Sequence, residues 1–493
     1  MKRVAIVGGG IAGLAVAYAL RSRSAPDEID LTLYEKSDRC GGNLRSERTN
    51  AFLCEWAANG FLDNSPPTLE LVRTVGLDSN VLRSNDAARR RFIFRGRRLH
   101  AIPGDPFAFA SSGMLSWSGK LRVMGEPFAR PRRPIDETIH EFASRRIGRE
   151  AADIMIDSMV SGIFAGDARR LSLRACFPKM WDMETEYGGL VRALVAKQWS
   201  RRRERRSASV PIGSPVGTLT SFREGIEELP RALVASLADS VCLEAPATRL
   251  DFANGRLQLS VRERGGGPAD AVVLAGPALQ SAVLVASLDE YLARHLADIE
   301  TAPIVVVCLG YDAAGVERER GALDGFGFLI PRGEGPRALG VLWDSSIYPN
   351  RAPDGAVLMR VMLGGARDRG ALNLSDAEVL NVVRTDLQQT MGLARPPDFV
   401  KIIRHRVGIP QYTVGHLDRL ARIEDRLSRI PGLYLTGNSY RGPAINSCIA
   451  EAGPLADRVL ERLRESAVVS AARASRTRQP SADRTRDRQP STS

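Results

Sequence analysis

The segment that most restricts what this chain can fold into is its opening, KRVAIVGGGIAGLAVAYAL, residues 2–20. An apolar run over 4–7 meets the glycines at 8–10, a helical pattern follows over 12–23, and a second strand pattern over 30–34 ends at Glu35. That order reads as a βαβ unit. Gly8-x-Gly10-x-x-Gly13 has the spacing a dinucleotide needs: a tight turn, a backbone bare enough for a pyrophosphate, and close packing of helix on strand. The glycine pattern alone is a weak signal, because an ordinary glycine turn beside a surface Glu35 has the same letters. Its position between strand and helix strengthens it, and Glu35 stands where a carboxylate accepts from ribose hydroxyls. Lys2-Arg3 and the apolar residues behind it also resemble the start of a secretory signal, but the packed glycines favour strand, turn and helix.

With 493 residues, two or three packed domains are expected, and 44% hydrophobic with 26% charged residues fits a globular chain. The six cysteines (Cys40, Cys54, Cys176, Cys242, Cys308, Cys448) form no CxxC pair and have no histidine at zinc spacing. Neither a disulfide framework nor a metal site is expected, and a reducing, cytoplasmic setting fits. A net charge of +12 implies attraction to anions without choosing between nucleic acid, acidic lipid and a polycarboxylate. The run RRRERR at 201–206 and the Ser/Arg-rich tail carry part of that charge and interleave no aromatics, so no nucleic-acid partner is expected. The uncharged stretch 271–288 is broken by Gly276-Pro277, so it is read as strand, turn and helix rather than a membrane span.

Farther along, Phe107, Phe109, Leu115 and Trp117 mix with basic residues, and a helical pattern runs over 135–163. Alternating runs at 304–310, 338–343 and 356–363 predict a second sheet, a helix follows near 375–391, and a last helix covers 444–463. The five histidines, His100, His140, His295, His405 and His416, stand apart, and none is assigned a catalytic role.

Directly after Glu35 come Arg39-Cys40-Gly41-Gly42-Asn43, and Leu435-Thr436-Gly437-Asn438-Ser439 precedes the last helix. Both resemble the flavin-contact motifs of the FAD enzymes that include amine oxidases and phytoene desaturases. Five longer strings resemble, in order, the oxygen-dependent porphyrinogen oxidases within that group. They are RRRFIFRGRRLHAIP (89–103), DSMVSGIFAGDARRLSLRACFP (157–178), GFGFLIP (325–331), VGIPQYTVGH (407–416) and YLTGNSYRGPAINSCI (434–449). The resemblance covers about residues 2 to 463.

It implies an α/β protein with a discontinuous FAD-binding Rossmann-like domain of the amine-oxidase type over 1–90, 213–290 and 408–465. A mixed-sheet substrate domain over 91–104 and 291–407, a helical membrane-contact domain over 105–212 and a disordered tail over 466–493 complete it. Non-covalent FAD contacts fall, by position, on Gly8, Gly9, Gly10, Ile11, Ala12, Gly13, Glu35, Lys36, Arg39, Gly42 and Asn43. They continue with Ala57, Ala58, Asn59, Gly60, Ala247, Asn438, Pro443, Ala444 and Ile445. Substrate contacts fall on Arg91, Phe326, Gly327, Leu329 and Met362. Arg91 would pair with a propionate while Phe326 and Leu329 sandwich an apolar macrocycle. A solvated strand-edge arginine and two core residues are the plainer readings.

The implied reaction is oxidation of protoporphyrinogen IX by oxygen with release of hydrogen peroxide, in haem biosynthesis. Coproporphyrinogen III remains an alternative substrate, since the two differ only in side chains. The family also implies peripheral contact with an anionic membrane and is compatible with a homodimer. An amine oxidase or desaturase would share the flavin motifs but not GFGFLIP or GIFAGDARRLSLRACFP, and a basic flavin-bound binding protein is the non-enzyme alternative. Two departures stand out: Ala57-Ala58-Asn59 replaces the usual Gly-Pro stretch, and Pro443, lacking an N–H, is expected in the first turn of the last helix.

Overall fold

The computed structural model describes residues 1–131, 135–196, 217–263 and 266–477. The arginine run at 201–206 and the tail from 478 lie outside the described residues.

The glycine-rich opening builds what its spacing requires. Strand Lys2–Val7 lies at the centre of a five-stranded parallel sheet ordered 241–242, 29–34, 2–7, 271–274, 433–435. Strands 2–7 and 29–34 are neighbours in sequence, whereas 241–242, 271–274 and 433–435 join them from far along the chain, so the nucleotide fold is discontinuous. Helix Ile11–Arg23 packs on the final helix, Ile445–Thr477, and both bury Leu14, Val16, Leu20, Leu455, Val459 and Leu463 in one core. That final helix runs past Leu463, where the sequence pattern had placed its end, and so occupies the first part of the expected tail. The second core, on the other face of the sheet, includes Leu292 and Leu296 of helix Glu290–Ala297. This helix therefore packs in the core beneath the nucleotide sheet, although it follows the expected boundary at 290.

A seven-stranded mixed sheet follows the order 399–410, 301–312, 356–364, 340–342, 327–329, 91–95, 98–101. Only 327–329 against 91–95 runs parallel. Helix Asp376–Met391 covers one face through Val379, Val383 and Leu387. The other face meets the hairpin formed by strands Ser46–Thr49 and Phe52–Glu55 of the nucleotide domain, where Phe52 stacks on Phe399 with ring centroids 4.8 Å apart.

Between the two lies the helical insertion. Its expected continuous helix over 135–163 is interrupted at Gly148, which has φ 91° and closes helix Ile139–Ile147. Helical structure resumes at Arg149, passes through a wider π-turn over Ala152–Ile156 and continues as helix Asp157–Phe164. Arg146 is fully buried and holds the insertion together through Glu126, Glu184 and the carbonyls of Ala129 and Gly188. Among the described residues no helix is long and apolar enough to cross a membrane, and no cluster could hold a metal ion.

Candidate active site

The cofactor cradle is built from backbone. Gly8, with φ 110°, turns the chain out of the first strand, and Gly10 caps the first helix with open space beside its Cα. A Cβ on Gly13 would lie 2.0 Å from the Gly8 carbonyl oxygen, so the helix could not approach the strand. Ile11 and Ala12 begin that helix, whose N-terminal N–H groups form an anion site. Glu35 is buried at the next strand end; its Oε2 accepts from Gly9 N at 2.7 Å and its Oε1 from Ser37 N at 2.9 Å. Ala245 N donates to the Glu35 carbonyl at 2.8 Å, which places the loop before Ala247 beside this end. Lys36 and Asn43 project to solvent.

Arg39 braces its own loop. It donates to the carbonyls of Gly42 and Leu44 and, at 3.0 Å, to Glu227, and so folds the 39–44 loop against the first glycine turn. Gly41 bridges to Gly10, and a Cβ on Gly42 would meet Gly10 Cα at 3.4 Å. The glycine turn, the bare helix N-terminus and the Glu35 carboxylate together suit an adenine dinucleotide.

Residues 57–60 form the next wall. Arg360, buried on the seven-stranded sheet, donates to Ala57 O at 2.7 Å and Glu55 O at 3.0 Å, and pairs with buried Asp344. Carbonyls of this loop are thus fixed from the other domain. Gly60 is required for packing, since a Cβ there would lie 2.4 Å from Thr220 O. Burial pushes the pKa values of Glu55 and Asp344 up from the usual carboxylate range, against the pull of Arg351 and Arg360. Nothing in the sequence alone marked Arg360, Asp344, Glu55 or Arg351, because Glu55 meets Arg351 and Arg360 only across a long stretch of chain, and Arg360 meets Asp344 only once the sheet is folded.

The five expected substrate residues converge. Gly327 is the register partner of Arg91, and Leu329 faces Gly340, itself paired with Met362. Register partners share a sheet face, so Arg91, Leu329 and Met362 point the same way, toward the nucleotide domain and the insertion. Phe92 and Phe328 point oppositely, into the core around Trp343. Gly327 has φ 125°, and a Cβ on it would lie 2.0 Å from Val341 O. Helix Asp157–Phe164 closes the wall: a Cβ on Gly162 would come within 2.8 Å of Leu329.

The Arg91 guanidinium lies 4.8 Å from the centre of the Phe326 ring. The residue is exposed rather than enclosed, partial burial of its head lowers its pKa, and no described carboxylate pairs with it. Phe326 itself is half-buried against Leu342, Ile347 and Tyr348, so it is partly core as well.

At the far end, Asn438 is half-buried in the loop before the last helix, its carbonyl accepting from the Tyr412 hydroxyl. The last helix begins at Ile445, with Ala444 O accepting from Cys448 N. Pro443 therefore stands outside the helix, correcting its expected place in the first turn; the turn at Gly442, with φ 119°, sets the approach instead.

The model of the family described as flavin containing amine oxidoreductase matches residues 11–460. A Bos taurus protoporphyrinogen oxidase is 34% identical, with 93% of this chain and 98% of that one covered. A coproporphyrinogen III oxidase of Bacillus subtilis is 29% identical, with 91% and 96% covered. Among solved structures, an Exiguobacterium sp. 255-15 protein, provisionally assigned as a protoporphyrinogen oxidase, superposes with a TM-score of 0.79 at 27% identity, covering 93% of this chain and 98% of that one. The glycine cradle, Glu35 and the matched family agree on FAD as the cofactor of an oxidoreductase. The chain belongs to the flavin-containing amine oxidoreductase family, on the branch of the protoporphyrinogen and coproporphyrinogen oxidases.

Proposed function

We propose that this enzyme oxidises protoporphyrinogen IX to protoporphyrin IX with oxygen as acceptor. The observation that carries the reading is the shared sheet face of Arg91, Leu329 and Met362, with Phe326 beneath the guanidinium. An unpaired cation beside apolar walls suits a flat apolar macrocycle bearing carboxylates at its edge. Bound FAD supplies two-electron oxidation, and three rounds remove six hydrogens from the porphyrinogen while three oxygen molecules become hydrogen peroxide. The chain's own residues orient the ring and exclude water: Arg91 holds a propionate, Leu329 and Met362 line the ring's face, and Gly162 lets the insertion close over Leu329. No described side chain is assigned as acid or base.

Coproporphyrinogen III is the second reading, favoured by the Bacillus subtilis relative covered over 96% of its length. Steady-state assay of both substrates on the purified protein, following porphyrin fluorescence and peroxide, decides between them. Turnover of neither would overturn the proposal.

The insertion also carries an exposed apolar surface: Phe107, Trp117, Leu121 and Phe128, the first and last more than four-fifths exposed. We read it as the peripheral membrane-contact surface of a cytoplasmic protein, in which apolar side chains enter the interface. Leu115 and Phe109, expected in this surface, instead pack inward on Met114 and Ile93.

A further inference from the structure

The loop from Gly437 to Pro443 has no regular secondary structure, yet it must hold its course if it is to meet a flavin. Three of its backbone groups are held from one place. The Tyr412 hydroxyl donates to Asn438 O and accepts from Gly442 N at 2.8 Å, and His416 Nε2 lies 2.9 Å from Tyr440 O. Because a carbonyl only accepts, that nitrogen carries the proton, and burial depresses the ring's pKa to about 4, so the imidazole is neutral. The two rings stack with centroids 4.3 Å apart and planes inclined by 21°. Both residues are essentially inaccessible to water, so each of these groups would lose its partner in a dry place if the side chain were cut back.

Tyr412 is itself clamped from the other side. Its carbonyl accepts from Ser172 N at 2.8 Å, Val414 N donates to Arg170 O at 3.0 Å, and the ring meets Phe164 edge-on at 6.3 Å. All three partners belong to the helical insertion. Gln411 adds a hydrogen bond to Phe164 O at 2.8 Å. The segment 411–416 is thus a strut with the insertion on one side and the loop 437–443 on the other.

We infer that Tyr412 and His416 are positioning residues through which the helical insertion sets how tightly FAD is held. The inference rests on the reading that Asn438 and its neighbours face the flavin. It accounts for two buried polar groups that neither the dinucleotide cradle nor the substrate face uses.

The test begins with hydrogen exchange on the full-length protein with and without FAD. Protection of 437–443 by FAD supports the reading on which the inference rests; equal exchange in both states overturns that reading. FAD titration of the flavin-free protein then separates the inference itself. Tyr412→Phe is expected to raise the dissociation constant about tenfold, to speed exchange at 437–443, and to leave exchange in the five-stranded sheet unchanged. An unchanged dissociation constant with a still-protected loop would overturn the strut. Should Tyr412→Phe not fold, the pair His416→Gln and His416→Leu keeps the question open to measurement. Gln retains a donor toward Tyr440 O and should hold FAD within about twofold of the parent, whereas Leu should weaken it about tenfold. Equal affinity of the Gln and Leu variants would sink the inference.

Discussion

The guanidinium of Arg91 rests 4.8 Å from the ring centre of Phe326 and has no carboxylate partner among the described residues. A charge stacked on an aromatic ring but left unpaired is ready to receive an anion. Arg91→Ala is expected to lower kcat/KM by about 2 kcal/mol, some thirtyfold, while the visible flavin spectrum stays as in the parent. Arg91→Lys should recover part, because a point charge lacks the bidentate fork. Arg90, paired with Asp324, and Arg89, paired with Asp86 in an exposed turn, serve as controls. Equal losses in all three variants would mean a diffuse electrostatic attractor rather than a clamp.

Glu35 accepts from Gly9 and stands where the ribose hydroxyls would arrive. Glu35→Ala should weaken FAD binding by about 2 kcal/mol, measured as the dissociation constant of the released flavin. Acid precipitation of the parent should free all flavin into the supernatant, since no Cys or His stands in an attachment motif. Flavin that stays with the precipitated chain contradicts this.

Arg360 and Asp344 are both buried, and each neutralises the other. Arg360→Met strands a carboxylate in the core and releases the carbonyls of Glu55 and Ala57. Urea unfolding should register a loss of about 3 to 5 kcal/mol. Adding Asp344→Leu should restore part of it, and no recovery in the double variant would show that the carbonyl contacts, not the ion pair, dominate.

His416 gives a pH dependence of defined sign. Burial lowers its pKa from the usual 6.5 to about 4, with Arg419 and Arg441 adding to the effect and the Tyr440 carbonyl and Asp136 opposing it. The unfolded state binds the proton more readily than the native state, so stability present above pH 6.5 is lost as pH falls toward 4. The contribution approaches about 3 kcal/mol. Chemical denaturation from pH 7 to 4.5 should therefore show a steeper decline for the parent than for His416→Gln. Parallel curves would count against this origin.

Phe107 and Phe128 protrude from the insertion. Replacing both by Ser should reduce co-sedimentation with anionic vesicles at least severalfold without changing thermal stability, because neither side chain is packed. Retained vesicle binding would place the contact elsewhere.

Local patterns and remote contacts differ in what they reveal. The glycine spacing, Glu35 and the first two parallel strands of the nucleotide sheet were legible because neighbours in sequence make the structure there. Gly327 and Leu329 were legible only through resemblance, since their register with Arg91 spans more than two hundred residues of chain and leaves no periodic trace. The roles of Arg360, Asp344, Tyr412 and His416 left no trace either: a buried arginine and a surface arginine are the same letter until the fold brings a carbonyl to one of them. The inward turn of Leu115 was equally hidden, as amphipathic and core faces share one composition when a helix is short.

The packing of the first helix against the last sets an order of events during synthesis. Residues 2–34 emerge early, but the apolar face of helix Ile11–Arg23 finds its permanent cover only when the chain from Ile445 onward has left the ribosome. Contacts of such long separation form slowly. The apolar face behind the nascent dinucleotide cradle is consequently uncovered for almost the whole of translation. A chain truncated before Ile445 keeps that face bare however complete its substrate sheet, and is expected to aggregate.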